Sequence, residues 1–490
     1  MATRNPPSTG PIRVPTDHAM ELRPIALPLS PFLNAPSIMG ISDDAIDSTI
    51  VYLALPEMGN TFHSGISYLT LVIAAYLIST TVMLVPAIEI TKRIGNRNFY
   101  IIGFSLFTAS SLLIAISISI SMVIFFRFIE GIGAGIMASS DIPIILGAFS
   151  KGERGRAIGL SSIAWSVGTL IGPVMGGFLV AINWRYIFLI NVPIGIAAMY
   201  AGFRIIGKDK PVKSRIKYKP TISMAVFMVP LIVGISLINI YYLLISLAIF
   251  PVFLYIQIKN PVIDPGLLRN IKFSLITLAS FLESFVFFSV LFALSLYFQS
   301  DLGYSSIEAG LIIFTYPVAS IISSPIGGML YDKYPNPEAI MAIGALLECI
   351  PVLFIAIYLK FIPELLLVAG FGGSFFWSPS TTMITDAHEQ KFRVQANNAM
   401  LILRNIGIIT AISILPLFIL YFSGINVSLG DIFVSSTRIN ISAGISAYLV
   451  FTSLVSLSSL IFIFMYHLKS KSNETKEENR KGTRKYQIIK

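Results

Sequence analysis

Asp43, Asp44 and Asp47 interrupt the stretch GISDDAIDSTIVYLALPEM (40–58), which is otherwise apolar enough to form a membrane-spanning helix. At 100° per residue the three carboxylates fall within about a 100° arc, so all three can face one aqueous cavity while Tyr52 points elsewhere. A carboxylate at the bilayer centre costs at least ~2.5 kcal/mol even on a lenient insertion scale. Three in one stripe also repel one another, which favours keeping a proton on one of them near physiological pH. The chemistry such a stripe offers is proton binding and release. Asp43 and Asp44 lie near the helix start, where capping or solvation explains them equally well. Asp47, deeper in the span, is the functional candidate.

Arg127 and Glu130 form a second charged group, in RFIEGIGAGIM (127–137). Three apart on a helix, they are neighbours and can partly neutralise each other. A membrane-embedded arginine is costly enough that a partner across the cavity is expected as well. With the first and fourth spans antiparallel, Asp47 and Arg127 stand about 15 Å and about 9 Å from the outer ends of their helices, a gap that an arginine side chain can close. Protonating Asp47 would then weaken its hold on Arg127. Glu283 lies in a later apolar run beside Phe281, Phe285, Phe287 and Phe288. It reads either as an attractor of lipophilic cations or as a protonated acid hydrogen-bonded to a neighbouring helix. Tyr297 and Trp377 are candidates for lining a cavity, against the commoner use of membrane aromatics in packing and interfacial belts. Glu89, Asp141 and Glu348 read as structural.

The elements that must position these groups are membrane helices. Of 490 residues, 55% are hydrophobic and 12% charged, far too apolar for a soluble chain of this length. The apolar runs are continuous, long enough to cross about 30 Å of hydrocarbon as helices, and unlike the alternating ~10-residue segments of a barrel. Fourteen spans are expected, near 35–58, 66–90, 99–119, 121–147, 156–181, 186–206, 220–238, 240–258, 274–298, 307–330, 339–359, 363–384, 396–422 and 444–468. An even number places both termini on one side. The basic segments TKRIGNRN, KGERGR, GKDKPVKSRIKYK and KSKSNETKEENRKGTRK make that side the cytoplasm.

An internal echo divides the chain. IEITKRIGNR (88–97) follows the second expected span and GMLYDKYPNP (328–337) the tenth, pointing to two six-helix halves. The expected organisation is a disordered tail at 1–33, an N-terminal six-helix bundle at 34–206, and a basic loop with two extra spans and a linker at 207–272. A C-terminal six-helix bundle at 273–468 and a basic tail at 469–490 complete it. The fold class is an all-α polytopic membrane protein. In GTLIGPVMGG (168–177), Gly168, Gly172 and Gly176 share one helix face smooth enough for close packing. Pro173 removes a backbone hydrogen bond and lets that helix bend.

Taken in order, these segments resemble the fourteen-span drug:proton antiporter branch of the major facilitator superfamily. The likeness is carried by DSTIVYLALP (47–56), RFIEGIGAGIM, GTLIGPVMGG, NWRYIFLINVPIG (183–195) and LLRNIKFS…LYFQSDLGYSSIEAG (267–310), and spans essentially the whole chain after residue 40. The resemblance implies two rocking six-helix bundles around a central cavity, with two extra helices between them. It implies proton coupling through Asp47 and Arg127, with Glu130 standing where the family commonly has Gln. The fifth-span pattern of Gly168, Gly172, Pro173, Gly176 and Gly177 is proposed in that family to seal the interface between the halves of exporters. Arg404, in ILRNIG, matches a family arginine, and snorkelling accounts for it too. The family's cytoplasmic loop motif is matched at Arg93, Gly95 and Arg97, and its second copy at Gly328, Asp332 and Lys333. Ile88 and Lys92 replace the motif's leading Gly and its Asp, so the charge–helix latch attributed to that aspartate lacks its acid in the first half.

Nothing supports an enzyme. There is no G-x-x-x-x-G-K-[ST] loop, no His/Cys cluster at metal-ligand spacing and no soluble domain, and one cysteine, Cys349, allows no internal disulfide. No cofactor, metal or nucleic-acid partner is expected. The expected partners are a small-molecule substrate, protons and the lipid bilayer, with the chain monomeric in the cell membrane. The expected function is proton-coupled antiport exporting small amphipathic or cationic compounds. A proton symporter importing a metabolite and a non-transporting membrane sensor are the alternatives.

Overall fold

The computed structural model describes residues 36–148, 154–208, 218–263, 265–334, 336–386, 393–422 and 441–488. The expected tail at 1–33 lies outside them. Each expected window holds helix. The N-terminal part comprises α1 (Pro36–Phe62), α2 (Ile66–Ile94), α3 (Asn96–Ala115), α4 (Ile120–Ala148), α5 (Arg154–Ile182), α6 (Tyr186–Leu189) and α7 (Asn191–Ile205). Then come α8 (Tyr218–Ser236), α9 (Ile240–Lys259) and the short α10 (Pro265–Arg269). The C-terminal part begins with α11 (Ile271–Leu296), which runs on into a π-helical turn at Tyr297–Asp301. It continues through α12 (Ser306–Ile313), α13 (Thr315–Lys333), α14 (Pro337–Tyr358), α15 (Ile362–Asp386), α16 (Arg393–Phe422) and α17 (Ser442–Ile488).

Eleven stretches among the described residues are long and apolar enough to cross a membrane. The chain is polytopic. The other three expected windows are filled by α1, α5 and α15, which fall outside that set of eleven. Helices are what such a sequence must form, because backbone polar groups in hydrocarbon have to be satisfied within their own segment. Where the path reverses, specific residues permit it. Gly95, at φ +84°, ends α2 by donating its N–H to the Thr91 carbonyl at 2.8 Å and starts α3 in the same residue. That backbone region favours glycine over any residue with a Cβ. At the start of α12, Ser305 and Glu308 form a reciprocal capping box.

In the N-terminal part α1 packs on α5, α2 on α4, and α3 on α4 and α7. In the C-terminal part α14 packs on α15 and α17, α13 on α15, and α11 on α16 and α17. Helix α8 touches both parts, lying against α2 and α16. Helix α9 packs on α8, and only 6% of its apolar window is buried, so its flanks are left to lipid.

The two parts meet along a seam. Ser295 Oγ of α11 donates to the Tyr52 carbonyl of α1 at 2.8 Å, and the Tyr52 ring lies 6.1 Å and 5.8 Å from those of Phe288 and Phe292. Helix α5 meets α12 beside it. The glycine pattern of α5 divides its work between two directions. A Cβ built on Gly172 would stand 1.9 Å from Thr49 Oγ1, and one on Gly176 2.8 Å from Ile50 Cγ1, so these two glycines admit α1 within the N-terminal part. Across the seam the room is made by Gly177, whose Cβ would stand 2.7 Å from the Ser306 carbonyl oxygen, and by Gly310, whose Cβ would stand 2.5 Å from that of Pro173. Ser306 Oγ donates to the Gly177 carbonyl at 2.9 Å. Adjacent glycines point about 100° apart on a helix, which is why Gly176 and Gly177 serve different neighbours.

This division sets an expectation for two valine substitutions. Gly172→Val is expected to destabilise the N-terminal helices by about 1–3 kcal/mol, the usual cost of overpacking, read as a lowered Tm in detergent. Gly177→Val is expected to lower Tm less and to widen the α5–α12 separation measured with spin labels. Equal separations in the Gly177→Val and unsubstituted proteins would contradict the assignment.

Candidate functional site

The site begins with glycines on α4. Gly131 and Gly135 face α2: a Cβ at Gly131 would stand 2.2 Å from the Tyr76 carbonyl oxygen, and one at Gly135 2.8 Å from that of Thr80. Gly133 faces α3, with its Cβ position 2.7 Å from the Phe107 nitrogen. Thr80 Oγ1 donates to the Gly131 carbonyl at 3.0 Å and ties the α2–α4 approach. Gly195 of α7 does the same against α3, where a Cβ would stand 1.9 Å from Thr108 Oγ1. These close approaches bring side chains of α2, α3 and α7 onto the charged turn of α4, which α1 also contacts.

At that turn Asp47, Arg127 and Glu130 are 0%, 1% and 0% exposed. Arg127 Nη1 lies 2.8 Å from Asp47 Oδ2 and 2.8 Å from Glu130 Oε2, and its Nε donates to the Val72 carbonyl at 3.4 Å. The guanidinium carbon sits 4.1 Å from the Tyr76 ring centroid and 5.7 Å from that of Phe188, so two aromatic faces also attract the cation. Ser111 Oγ donates to Glu130 Oε1. Asn191 Nδ2 donates to Asp47 Oδ1 and to Ser111 Oγ, each at 3.4 Å. The groups close a ring: Asp47, Arg127, Glu130, Ser111, Asn191 and back to Asp47.

Charge counting states what this ring can do. Two carboxylates share one guanidinium, so the cluster carries one net negative charge when both are ionised and none when one holds a proton. An uncompensated charge in a buried setting costs several kcal/mol. Asp47 faces Arg127 within the N-terminal helices, as the spacing anticipated, and has no exposed surface in this conformation. The attraction of opposite charges in a poorly screened interior is the physical reason. Tyr52, expected on another side of α1, does lie there, on the seam.

Sequence reasoning named three members of the ring and missed Asn191, Ser111 and Tyr76. Asn191 had a visible signal, an isolated amide within the apolar segment NWRYIFLINVPIG. Serines and tyrosines are too common in these spans to stand out. Asp43 and Asp44 lie on α1, but their side chains lie outside the described residues. Glu283 is 0% exposed and accepts hydrogen bonds at Oε1 from Ser459 Oγ at 2.5 Å and Ser456 Oγ at 3.4 Å, both on α17. Tyr297 is buried with its ring 5.7 Å from that of Phe298, and Trp377 is half-buried with its ring 5.8 Å from that of Phe376. Neither touches the charged ring. At the ends of α2 and α13, Arg93, Asp332 and Lys333 are exposed, and Gly328 is half-buried one turn before Asp332. The Arg97 guanidinium lies 4.2 Å from the Phe203 ring centroid. Among the described residues no group of three or more His, Cys, Asp or Glu could hold a metal ion.

The sequence and the two-part helical fold have counterparts among known proteins. The model of the Major Facilitator Superfamily matches residues 39–263 and 276–489. The chain belongs to that superfamily. Methylenomycin A resistance protein of Bacillus subtilis (strain 168) is 28% identical over 335 residues, covering 66% of this chain and 72% of the relative. Riboflavin transporter RibZ of Clostridioides difficile (strain 630) is 27% identical over 306 residues, covering 60% and 67%. A solved structure of a bacterial homologue of the human lysosomal transporter Spinster superposes with a TM-score of 0.65 at 14% identity, over 89% of this chain and 96% of that one. The fold is therefore that of the major facilitators, and the chain is a transporter of that superfamily with drug-resistance proteins among its relatives.

Removing one partner of a buried ion pair leaves the other charge uncompensated, so Arg127→Ala is expected to cost about 3–5 kcal/mol, read by unfolding in detergent. The triple substitution Asp47→Asn, Glu130→Gln, Arg127→Met leaves no charge behind and is expected to recover most of that loss. A triple variant less stable than Arg127→Ala would show that charge pairing is not what holds these helices.

Proposed function

We propose that this transporter is a proton-coupled antiporter that exports small amphipathic or cationic compounds by alternating access, with both termini in the cytoplasm of a cell whose plasma membrane it spans. The observation that carries the reading is the sealed Asp47–Arg127–Glu130 triad, in which two acids compete for one guanidinium. A proton arriving on either acid makes the cluster neutral and loosens one of the two contacts that hold Arg127. Because both carboxyls lack exposed surface here, the proton can be exchanged only when the helices around them part. Proton occupancy is thereby tied to helix position, which is the coupling an antiporter needs. The drug-resistance relative supports export. The cytoplasmic termini rest on the excess of Lys and Arg in alternate connecting segments of the sequence.

A second reading, import of a metabolite by symport, is favoured by the riboflavin transporter among the relatives. Direction separates the two. In proteoliposomes carrying an imposed pH gradient, antiport is expected to move substrate and protons oppositely, and symport together. Asp47→Asn is expected to reduce uphill, gradient-driven transport at least about tenfold, as the loss of roughly 1.4 kcal/mol of coupling would. It should leave substrate exchange without a gradient largely intact. An Asp47→Asn protein that still exports uphill with an unchanged pH dependence would refute the coupling role.

A further inference from the structure

Two more acids lie buried in the C-terminal part, and the function argued above does not use them as a pair. Glu283 on α11 and Glu348 on α14 are 0% and 1% exposed. Ser456 and Ser459 of α17 donate to Glu283 Oε1, and the Tyr316 hydroxyl of α13 donates to Glu348 Oε1 at 2.5 Å. The Oε2 atom of each carboxyl is buried and meets no conventional donor, and Ser456 Oγ, a donor to Glu283, also donates to the Ala345 carbonyl of α14 at 3.3 Å, one turn before Glu348, which sets the two carboxyl groups beside each other. Two ionised carboxylates have only lone pairs to offer one another. Their approach becomes a hydrogen bond only when one of them carries a proton.

Among the described residues no cation relieves the repulsion: no Lys, Arg or His acts on either carboxyl, in contrast to the triad around Arg127. The titratable neighbours are Tyr316 from α13 and Cys349, which follows Glu348 on α14 and donates its Sγ–H to the Ser453 carbonyl at 3.3 Å. From α17 come only the hydroxyls of Ser456 and Ser459. Helix α15 brings backbone, with a Cβ position at Gly373 that would lie 3.5 Å from Glu348 Oε2. Helix α16 also packs on α11, and none of its charged groups is among those that act on the pair. Three hydroxyl donors thus surround an acid pair whose charge no cation among the described residues balances.

We propose that Glu283 and Glu348 share a proton, forming a second proton-binding site in the C-terminal helices, separate from the Asp47–Arg127–Glu130 ring. A carboxyl pair with one shared proton is the arrangement that two close acids adopt when both cannot ionise. The site is also well placed to respond to movement between the two parts. Tyr316, its hydroxyl on Glu348, has its ring 5.1 Å from that of Phe287, which lies 4.8 Å from Phe288, itself 6.1 Å from Tyr52 of α1 across the seam. The inference concerns proton binding alone and holds for antiport and symport equally.

The test is infrared spectroscopy of the full-length protein in nanodiscs at neutral pH, with isotope-labelled glutamate, in the Asp47→Asn, Glu130→Gln, Arg127→Met background, which removes the first cluster's acids without leaving a buried charge behind. Glutamates open to water are ionised under these conditions. A protonated-carboxyl stretch that moves with the glutamate label is expected, and it should disappear on adding Glu283→Gln with Glu348→Gln. Tyr316→Phe, which keeps both acids and removes one donor, is expected to shift the band without abolishing it. That variant decides the matter should the double glutamine protein fail to fold. The proposal is overturned if no label-sensitive band exists at neutral pH, if the band survives the double substitution, or if Tyr316→Phe leaves it in place.

Discussion

One guanidinium held by two carboxylates organises the N-terminal helices. In water such an exposed group of charges would contribute little, about 0–1 kcal/mol per pair. Enclosed among α1, α2, α3, α4 and α7, the same charges are weakly screened, and each depends on the others for compensation. Arg127 is satisfied from several sides at once: by Asp47, by Glu130, by the Val72 carbonyl and by the faces of Tyr76 and Phe188. Changing the charge of any one member alters the hold on the rest. The same dependence makes the cluster a structural tie and, in the function proposed above, a point at which a single proton has leverage.

Charge alone does not assemble the ring. Side chains on five helices can meet only if the helix backbones come closer than ordinary side chains allow, and in hydrocarbon there is little hydrophobic force to pull helices together. Small residues provide the approach. Gly131 and Gly135 admit α2, Gly133 admits α3, and Gly195 admits that same α3 to α7. The charged residues and the glycines are therefore interleaved in RFIEGIGAGIM for one reason: the arginine needs neighbours, and the glycines let them in.

The two halves handle buried acid differently. In the N-terminal helices a cation offsets two carboxylates. In the C-terminal helices Glu283 and Glu348 have hydroxyl donors and each other, with no cation acting on them among the described residues. Between the halves, where α1 meets α11 and α5 meets α12, the contact is aromatic and small, with Tyr52 against Phe288 and Phe292 on one side and Gly177 and Gly310 on the other. The directional bonds across that contact include Ser295 to Tyr52 and Ser306 to Gly177.

Much of this was legible in the amino-acid sequence. Apolar runs of membrane length dictate helices, because no other open structure satisfies its own backbone in lipid, and an arginine in such a run demands an acid. Asp47, Arg127 and Glu130 could be named on those grounds, as could the close packing of the fifth-span glycines. Periodicity along one helix says which residues share a face, but not which neighbour that face meets. Only the tertiary structure decided that Gly176 serves α1 while Gly177 serves α12, that Asn191 and Ser111 complete the charged ring, and that Glu348, read as structural, stands opposite Glu283. Those are facts of contact between segments far apart in the chain, and the arrangement of helices around one another is where they are determined.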